Sequence, residues 1–411
     1  MRRAALIAGM LTTSMFGQTT FTWEQIKDRF EATNPTLRAG RIGIDESKAQ
    51  EVTAYLRPNP DFSTSLDQIQ PFNGNPYRPF GFALPLFSAN YLHERQHKRE
   101  LRLESARQAT GIANSQLADQ ERTLLFNLRN AFVQALQAKA ILALARENLA
   151  YYDRLLGVNN ERLKAGDIAQ VDYDRLELQR VQYESDIQTA ETNVRTAKIQ
   201  LLTLLNDRTP VEQFDITGTF DFAETMLTLA ELREMARANR PDLQAAVAAI
   251  DKAKTDYRLA VANGSTDPTF GVDVGRNPPI PAYIGFSVNI PIRLFDRNQG
   301  EKARTQLDIR RNERLREATE AQVYSDVDSA WAMLNGNRAL LRPYKTRYLD
   351  LAAKVRETVS FAYQNGGSSL LEFLNAQSDY RTVQLNYLNL VGAYLNAASQ
   401  LNLAVGHEVL P

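Results

Sequence analysis

The sequence predicts a mixed α/β membrane protein. A strand pair and a long coiled-coil helical hairpin occur twice in it, so that a trimer closes a 12-stranded β-barrel continuous with an α-helical tunnel. Three observations carry this prediction. The second half of the chain repeats the first at an offset of about 200 residues. Two runs nearly free of proline carry sustained heptad seams. The segments ahead of those runs alternate apolar with small or polar residues.

The repeat is legible residue by residue. Asn34-Pro35-x-Leu37-x-Ala39, with Ile44-Asp45, Lys48 and Ala54, returns as Arg240-Pro241-x-Leu243-x-Ala245, with Ile250-Asp251, Lys254 and Ala260. Phe82-Ala83-Leu84-Pro85-Leu86 returns as Val288-Asn289-Ile290-Pro291-Ile292. The last helical seam of the first half is Leu176, Tyr183, Ile187, Ala190, Val194, Ala197, Leu201 and Leu204. Its counterpart is Ala376, Val383, Tyr387, Leu390, Tyr394, Ala397, Leu401 and Ala404. The expected division is a signal peptide over 1–17, a first repeat over 18–215 and a second over 216–411. Duplication of this kind builds a pseudo-symmetric wall.

The amino terminus reads as a secretory signal: Met1-Arg2-Arg3, an apolar run from Ala4 to Gly17, then Gln18-Thr19-Thr20. Ser14 and Gly17 both offer a small residue for cleavage. Two helices follow over 22–57, split at Asn34-Pro35 because the residue before proline resists the α region. Strands are expected at 60–67 and 78–87, joined by a loop holding Pro71, Asn73, Gly74, Asn75 and Pro76. A helix over 90–163 carries the seam Leu124, Leu128, Ala131, Ala135, Ala138, Leu142, Ala145, Leu149 and Tyr152. About 70 residues at 1.5 Å rise span roughly 100 Å, beyond a globular domain. Lys164-Ala165-Gly166 turns the chain, and 169–206 returns as the second arm. After a link over 207–228 holding Pro210, helices are expected near 228–238 and 241–262 and strands at 267–276 and 283–293. A long helix over 297–364, kinked by Pro343, then turns at Asn365-Gly366-Gly367 into a return helix over 369–405.

The strands decide the class. Ile284, Phe286, Val288, Ile290 and Ile292 alternate with Gly285, Ser287, Asn289, Pro291 and Arg293, the pattern of a membrane barrel strand. A half-buried strand of a soluble sandwich shows the same alternation. Tyr77, Tyr91, Tyr283 and Phe295 at the strand ends favour the membrane, where aromatic girdles sit at the interfaces. Four strands cannot close, and open edges are not tolerated in hydrocarbon. Two copies would fill their interior with side chains, whereas three leave a lumen, so a homotrimer is the smallest assembly that conducts.

Composition removes other classes. With 48 Lys+Arg against 48 Asp+Glu there is no footprint for nucleic acid. The absence of cysteine excludes disulfides, thiolate metal sites and lipid attachment at an N-terminal cysteine. No run after the signal reaches the ~18 apolar residues of a transmembrane helix. No phosphate-binding loop and no catalytic set with the three histidines is found, so neither enzyme activity nor a cofactor is expected. His93 and His97 flank Glu94 at metal-pair spacing, but within the charged run 93–100 they read as a solvated helix start, and no metal site is expected.

At this point the chain resembles the TolC family of outer-membrane efflux proteins over nearly all its length. The resemblance rests on Asn34-Pro35-x-Leu37, on Arg240-Pro241-Asp242-Leu243 and on the two hairpin tips. The tips read Ala165-Gly166-Asp167-Ile168-Ala169-Gln170-Val171-Asp172-Tyr173 and Gly366-Gly367-Ser368-Ser369-Leu370-Leu371-Glu372-Phe373-Leu374-Asn375-Ala376. The resemblance implies a bacterial outer-membrane location with the tunnel in the periplasm. It also implies a passive channel for small molecules in a tripartite efflux or type I secretion system. The implied partners are outer-membrane lipid, an inner-membrane transporter and a periplasmic adaptor that meets the tips at Ala165, Gly166, Asp167, Asn365, Gly366 and Gly367. By position, the periplasmic constriction falls on Glu372 and Asn375, with an inter-coil link at Tyr363 and Asp172. Asn375 stands where the family has a second acid and Ser368 where its best-known member has an arginine, so a single ring of three Glu372 carboxylates is expected.

Each of these residues also has a structural reading. Asp172 and Glu372 sit in first helical turns, where the macrodipole favours a carboxylate by ~0.3–1 kcal/mol. Tyr363 also fits coil packing, and Gly166 and Gly366 are turn residues in any case. The stretch Ile290-Pro291-Ile292-Arg293-Leu294-Phe295-Asp296-Arg297-Asn298-Gln299-Gly300 is similar to heavy-metal efflux members but marks a strand-to-helix junction. With six Met, three His and no Cys, the chain offers no soft-metal ligand set. The competing function is a non-conducting periplasmic coiled-coil scaffold or stalk.

Overall fold

A computed structural model describes residues 19–72, 76–222, 228–277 and 279–410. The expected signal and the loop residues Asn73, Gly74 and Asn75 lie outside the described residues. The first repeat contains β1 (Thr19–Phe21), α1 (Trp23–Thr33), α2 (Pro35–Tyr55), β2 (Asp61–Asp67), β3 (Leu84–Leu92), α3 (Lys98–Ala165), α4 (Gln170–Leu204) and β4 (Phe214–Ile216). The second contains α5 (Leu229–Asn239), α6 (Pro241–Asn263), β5 (Thr269–Asn277), β6 (Ile280–Asn289), α7 (Gln299–Pro343), a π-helical turn (Tyr344–Tyr348), α8 (Leu349–Gln364) and α9 (Leu370–Val405). By contacts the chain divides into two compact units. One comprises Met1–Arg38, Gln120–Asn239 and Tyr324–Pro411, the other Ala39–Asp119 and Arg240–Val323. Each unit draws on both repeats, so repeat and compact unit are different divisions of the chain.

The second unit holds an antiparallel sheet in the order β2-β3-β5-β6, two strands from each repeat. Register sorts its side chains by row. Phe62, Ala89, Val272 and Phe286 are cross-strand neighbours, as are Thr64, Phe87, Val274 and Ile284. Between them runs Ser63, Ser88, Asp273 and Gly285. Because side chains alternate between faces, one face is almost wholly apolar and the other small and polar. The apolar face is also the exposed one, with Phe286 83% exposed. An aqueous sheet would bury it, whereas a barrel strand turns it to lipid.

The strand limits differ from expectation for local reasons. Residues 78–83 form turns rather than strand, with Gly81 N donating to Arg78 O and Ala83 N to Phe80 O. Pro79 and Gly81 break the extended run there. β3 instead continues to Leu92, and His93 N still donates to Pro268 O at 2.9 Å. α3 therefore starts at Lys98 and not at 90, after Gln96 and His97 adopt left-handed φ of 59° and 56°. β6 begins earlier, at Ile280, and stops at Asn289 just before Pro291, which has no N–H for a ladder.

The first unit is built on the two hairpins, α3 with α4 and α8 with α9. The heptad seams are buried as their spacing requires, at Leu128, Ala131, Ala135, Ala138, Tyr152, Leu176, Ala190, Leu201, Ala397 and Leu401. Ile26 and Phe30 of α1, Leu37, and Phe214 and Ile216 of β4 join the same core as Leu128 and Leu201. The α1–α2 break is built by Asn34. Its Oδ1 accepts from Thr36 N and Leu37 N, and its Nδ2 donates to Leu204 O at 3.2 Å. Periodicity did not reveal the parallel β1–β4 pair, because strands of three residues carry no period; Phe21 stacks on Phe214 at 5.6 Å across it. Pro343 closes α7, and a π-helical turn follows it directly, with Leu349 N donating to Tyr344 O.

Candidate gate and docking tips

Both hairpins turn by one backbone device. After α3, Gly166 takes a φ of +81° while Asp167 N donates to Arg162 O at 2.8 Å. After α8, Gly366 takes +76° while Gly367 N donates to Ala362 O at 2.8 Å. These are the six-to-one closures of a helix ending in a left-handed residue. A Cβ on either glycine would meet nothing within 4 Å, so conformation rather than space demands glycine. The six tip residues, Ala165, Gly166, Asp167, Asn365, Gly366 and Gly367, are brought to the two turns.

The return helices start differently. α4 follows Ala169, which gives no side-chain cap. α9 follows Ser369, whose Oγ accepts from Glu372 N at 3.2 Å while Glu372 Oε2 accepts from Ser369 N at 2.8 Å. Ser368 Oγ donates to the same Oε2 at 2.8 Å. The Ser369 backbone bond, then the two serine hydroxyls, hold the exposed Glu372 carboxyl below its ordinary range. Glu372 thus caps its own helix, and it faces solvent together with Asn375 one turn on.

Tyr363 and Asp172 sit differently. Tyr363 is only 7% exposed, stacks on Phe373 at 4.9 Å, and carries the Arg162 guanidinium 5.4 Å above its ring. Arg162 Nη1 also donates to Tyr363 O at 3.3 Å, tying the first hairpin to the second. Burial raises the Tyr363 phenol, the Arg162 charge opposes this, and the Asp172 charge adds to it. Half-buried Asp172 has Arg175 at 3.9 Å, one turn along its own helix. The four gate candidates therefore divide: Glu372 and Asn375 outward on α9, Tyr363 at the seam between hairpins, and Asp172 half-buried on α4 beside its own Arg175.

Other inter-hairpin links were not singled out from sequence. Arg381 Nη1 donates to Asp186 Oδ2 at 2.9 Å, and Tyr151 Oη donates to Ser360 Oγ, which also accepts from Gln377 Nε2 within the second hairpin. A signal for Arg381 exists, since the offset that aligns Gly166 with Gly366 places Val181 at its position. At the far end of α3, the His93 ring lies edge-on to Phe270 at 6.4 Å and His97 is exposed. No cluster of three or more His, Cys, Asp or Glu that could hold a metal occurs among the described residues.

A sheet with a lipid-type outer face, joined to duplicated hairpins with glycine tips, defines a TolC-like outer-membrane channel subunit. A family model described as outer membrane efflux protein matches residues 232–407. The chain is 22% identical to the cobalt-zinc-cadmium resistance protein CzcC of Cupriavidus metallidurans, over 91% of this chain and 87% of that one. It is 24% identical to the pyoverdine export outer membrane protein OpmQ of Pseudomonas aeruginosa, over 78% and 69%. The fold matches a solved structure of CusC with TM-score 0.78 at 18% identity, covering 99% of this chain and 98% of that one. It also matches the outer membrane protein VceC of Vibrio cholerae with TM-score 0.74 at 14% identity, covering 94% and 96%. The chain carries that family match over most of its second repeat, and the relatives and solved structures match it over most of its length. It is an outer-membrane protein with its helical part in the periplasm.

Proposed function

We propose that this chain is the channel component of a tripartite efflux or type I secretion system, working as a homotrimer that exports small molecules passively. The observation that carries the reading is the four-stranded sheet. Its exposed face is apolar, and among the described residues β2 and β6 each have a strand partner on one side only. Such edges in a bilayer require closure with further copies, and three copies bring twelve strands. The duplicated hairpins of three copies supply six similar sectors of a periplasmic tube. The tips at Gly166 and Gly366 receive a periplasmic adaptor, which delivers cargo from an inner-membrane transporter. CzcC is named for cobalt-zinc-cadmium resistance and OpmQ for pyoverdine export, so cargo choice is assigned to those partners rather than to the duct. The non-conducting stalk draws no support from these relatives. Extraction of a detergent-stable trimer that shows single-channel conductance in a planar bilayer supports the duct. A water-soluble monomer without conductance overturns it.

A further inference from the structure

The helical hairpins carry a feature that neither the tips nor the aligned gate positions explain. The Arg356 guanidinium lies between two tyrosine rings from different helices. Its Cζ is 3.7 Å from the Tyr380 ring centre on α9 and 4.3 Å from that of Tyr151 on α3. Its Nε is buried and has no hydrogen-bond partner among the described residues. A guanidinium that gives up water at that nitrogen is held there by the ring faces, the case in which cation–π attraction is strongest. Tyr151 is fixed in turn by its hydroxyl on Ser360, which also accepts from Gln377. Nearby on α9, Arg381 reaches Asp186 of the first hairpin and lies 5.6 Å over Tyr183, which stacks on Tyr152 at 4.6 Å. The sandwich and the ion pair therefore join the second hairpin to the first.

These residues also depart from the duplication. At the offset aligning Gly166 with Gly366, Arg356 corresponds to Leu156, Tyr380 to Arg180, Arg381 to Val181 and Asp186 to Asn386. A wall element would be expected to recur in both repeats, but this cluster exists once per chain. Residues needed only for coil packing could be apolar, as Leu156 and Val181 are. A cation between two rings instead gives an attachment that breaks as a unit when either ring withdraws.

We propose that Arg356, clamped by Tyr151 and Tyr380 and backed by the Arg381–Asp186 pair, is the latch that holds the two hairpins of one subunit together in the closed channel. Opening withdraws Tyr151 from Arg356 and leaves Tyr380, on the partner arm of the same hairpin, in place. The inference rests on the channel reading given above. Loss of one ring contact shifts the open-to-closed ratio by about 5- to 30-fold per subunit.

The test is planar-bilayer conductance of the full-length trimer with the substitutions Arg356→Met, Tyr151→Leu, both together, and Arg356→Lys. Trimer recovery and helical circular dichroism report folding. If the parent gives no conductance in any state, the channel reading itself fails. If the parent conducts, each single substitution should raise open probability, the double should raise it no further than the larger single, and lysine should restore part of the closed population. Parent-like gating in both well-folded single variants overturns the latch, and so does simple additivity in the double. Where Arg356→Met does not yield trimer, Tyr151→Leu on the opposing hairpin decides alone: it must open the channel, and parent-like gating in it overturns the proposal.

Discussion

Ser369 and Glu372 cap each other. The serine hydroxyl accepts the Glu372 amide, and the Glu372 carboxylate accepts the Ser369 amide. The first hairpin has Ala169 and Asp172 at the aligned positions and forms no such box. The one acidic residue expected to ring the constriction is therefore also the residue that starts its helix, and the two roles can be separated chemically.

Glutamine preserves a capping box but carries no charge. Replacing Glu372 with Gln should leave amide exchange at Ser369 and Glu372 near the parent rate while reducing cation preference and divalent block of the closed trimer. Replacing it with Ala should alter both. If the Gln variant keeps the parent's selectivity and divalent block, Glu372 is a cap alone. The pH dependence has a fixed sign. Because the folded carboxyl is held below its ordinary value of 4.5, the cap is complete above that value and is lost as pH falls through the lower folded value. Exchange at the two amides should accelerate only in that acid range.

Gly166 and Gly366 both require left-handed backbone with open space around them. Alanine at either should cost about 1–2 kcal/mol of local tip stability, from conformation and not from a clash. Hydrogen exchange confined to Asp167 or Gly367 should report it, together with weaker capture of the cognate adaptor. Unchanged exchange at both tips would show that the closures do not depend on glycine.

The duplication, the seams and the hairpin turns were legible because each repeats a period or a punctuating residue. Leu128, Ala135 and Leu201 are buried where the heptad puts them, and Pro343 disturbs its helix where it stands. The strand end near Phe82 was misplaced because alternation persists through turn residues such as Gly81, whose hydrogen bonds, not whose hydropathy, end the strand. The β1–β4 pair is too short to carry a period. The Ser369–Glu372 capping box is local and so readable in sequence, whereas the Arg162–Tyr363 contact joins residues in different repeats and is not. Asymmetry between the repeats carries the rest of the signal, since Arg356 and Arg381 stand where the other repeat has leucine and valine.

Asp215 on β4 receives Lys139 Nζ at 2.8 Å and Lys198 Nζ at 2.9 Å, both from the coiled helices beneath it. Desolvation pushes its carboxyl up, but the two lysine hydrogen bonds outweigh that and leave it below its ordinary value of 3.8. Asparagine at this position leaves the buried Lys198 facing an uncharged partner, at a cost of roughly 3 kcal/mol. Thermal melts of parent and variant should differ most near neutral pH. Below about pH 4 the gap should close, because the parent loses the carboxylate's contribution as pH falls through the depressed folded value. A gap that persists unchanged at acid pH would mean that packing, not charge, fixes β4.

Pro343 and Lys345 form one device. Pro343, which has no N–H to donate, immediately precedes the π-helical turn Tyr344–Tyr348. Lys345 in that turn reaches Asp221 at 2.9 and 3.0 Å and the Phe222 carbonyl at 3.4 Å. Tyr387 donates to the same carboxylate from α9. Replacing Pro343 with Ala restores the missing donor, and the turn should relax to α-helix. One residue leaves the bulge, so Lys345 rotates by about 100° and loses Asp221. Exchange protection at 344–348 should rise while crosslinking between Lys345 and Asp221 by a zero-length carbodiimide should fall. Lys345→Met breaks the same link without changing the turn, so both substitutions should loosen the segment 217–222 to proteolysis. If Pro343→Ala keeps the crosslink, the π-helical turn is set by packing around Tyr344 and Tyr348 rather than by the proline.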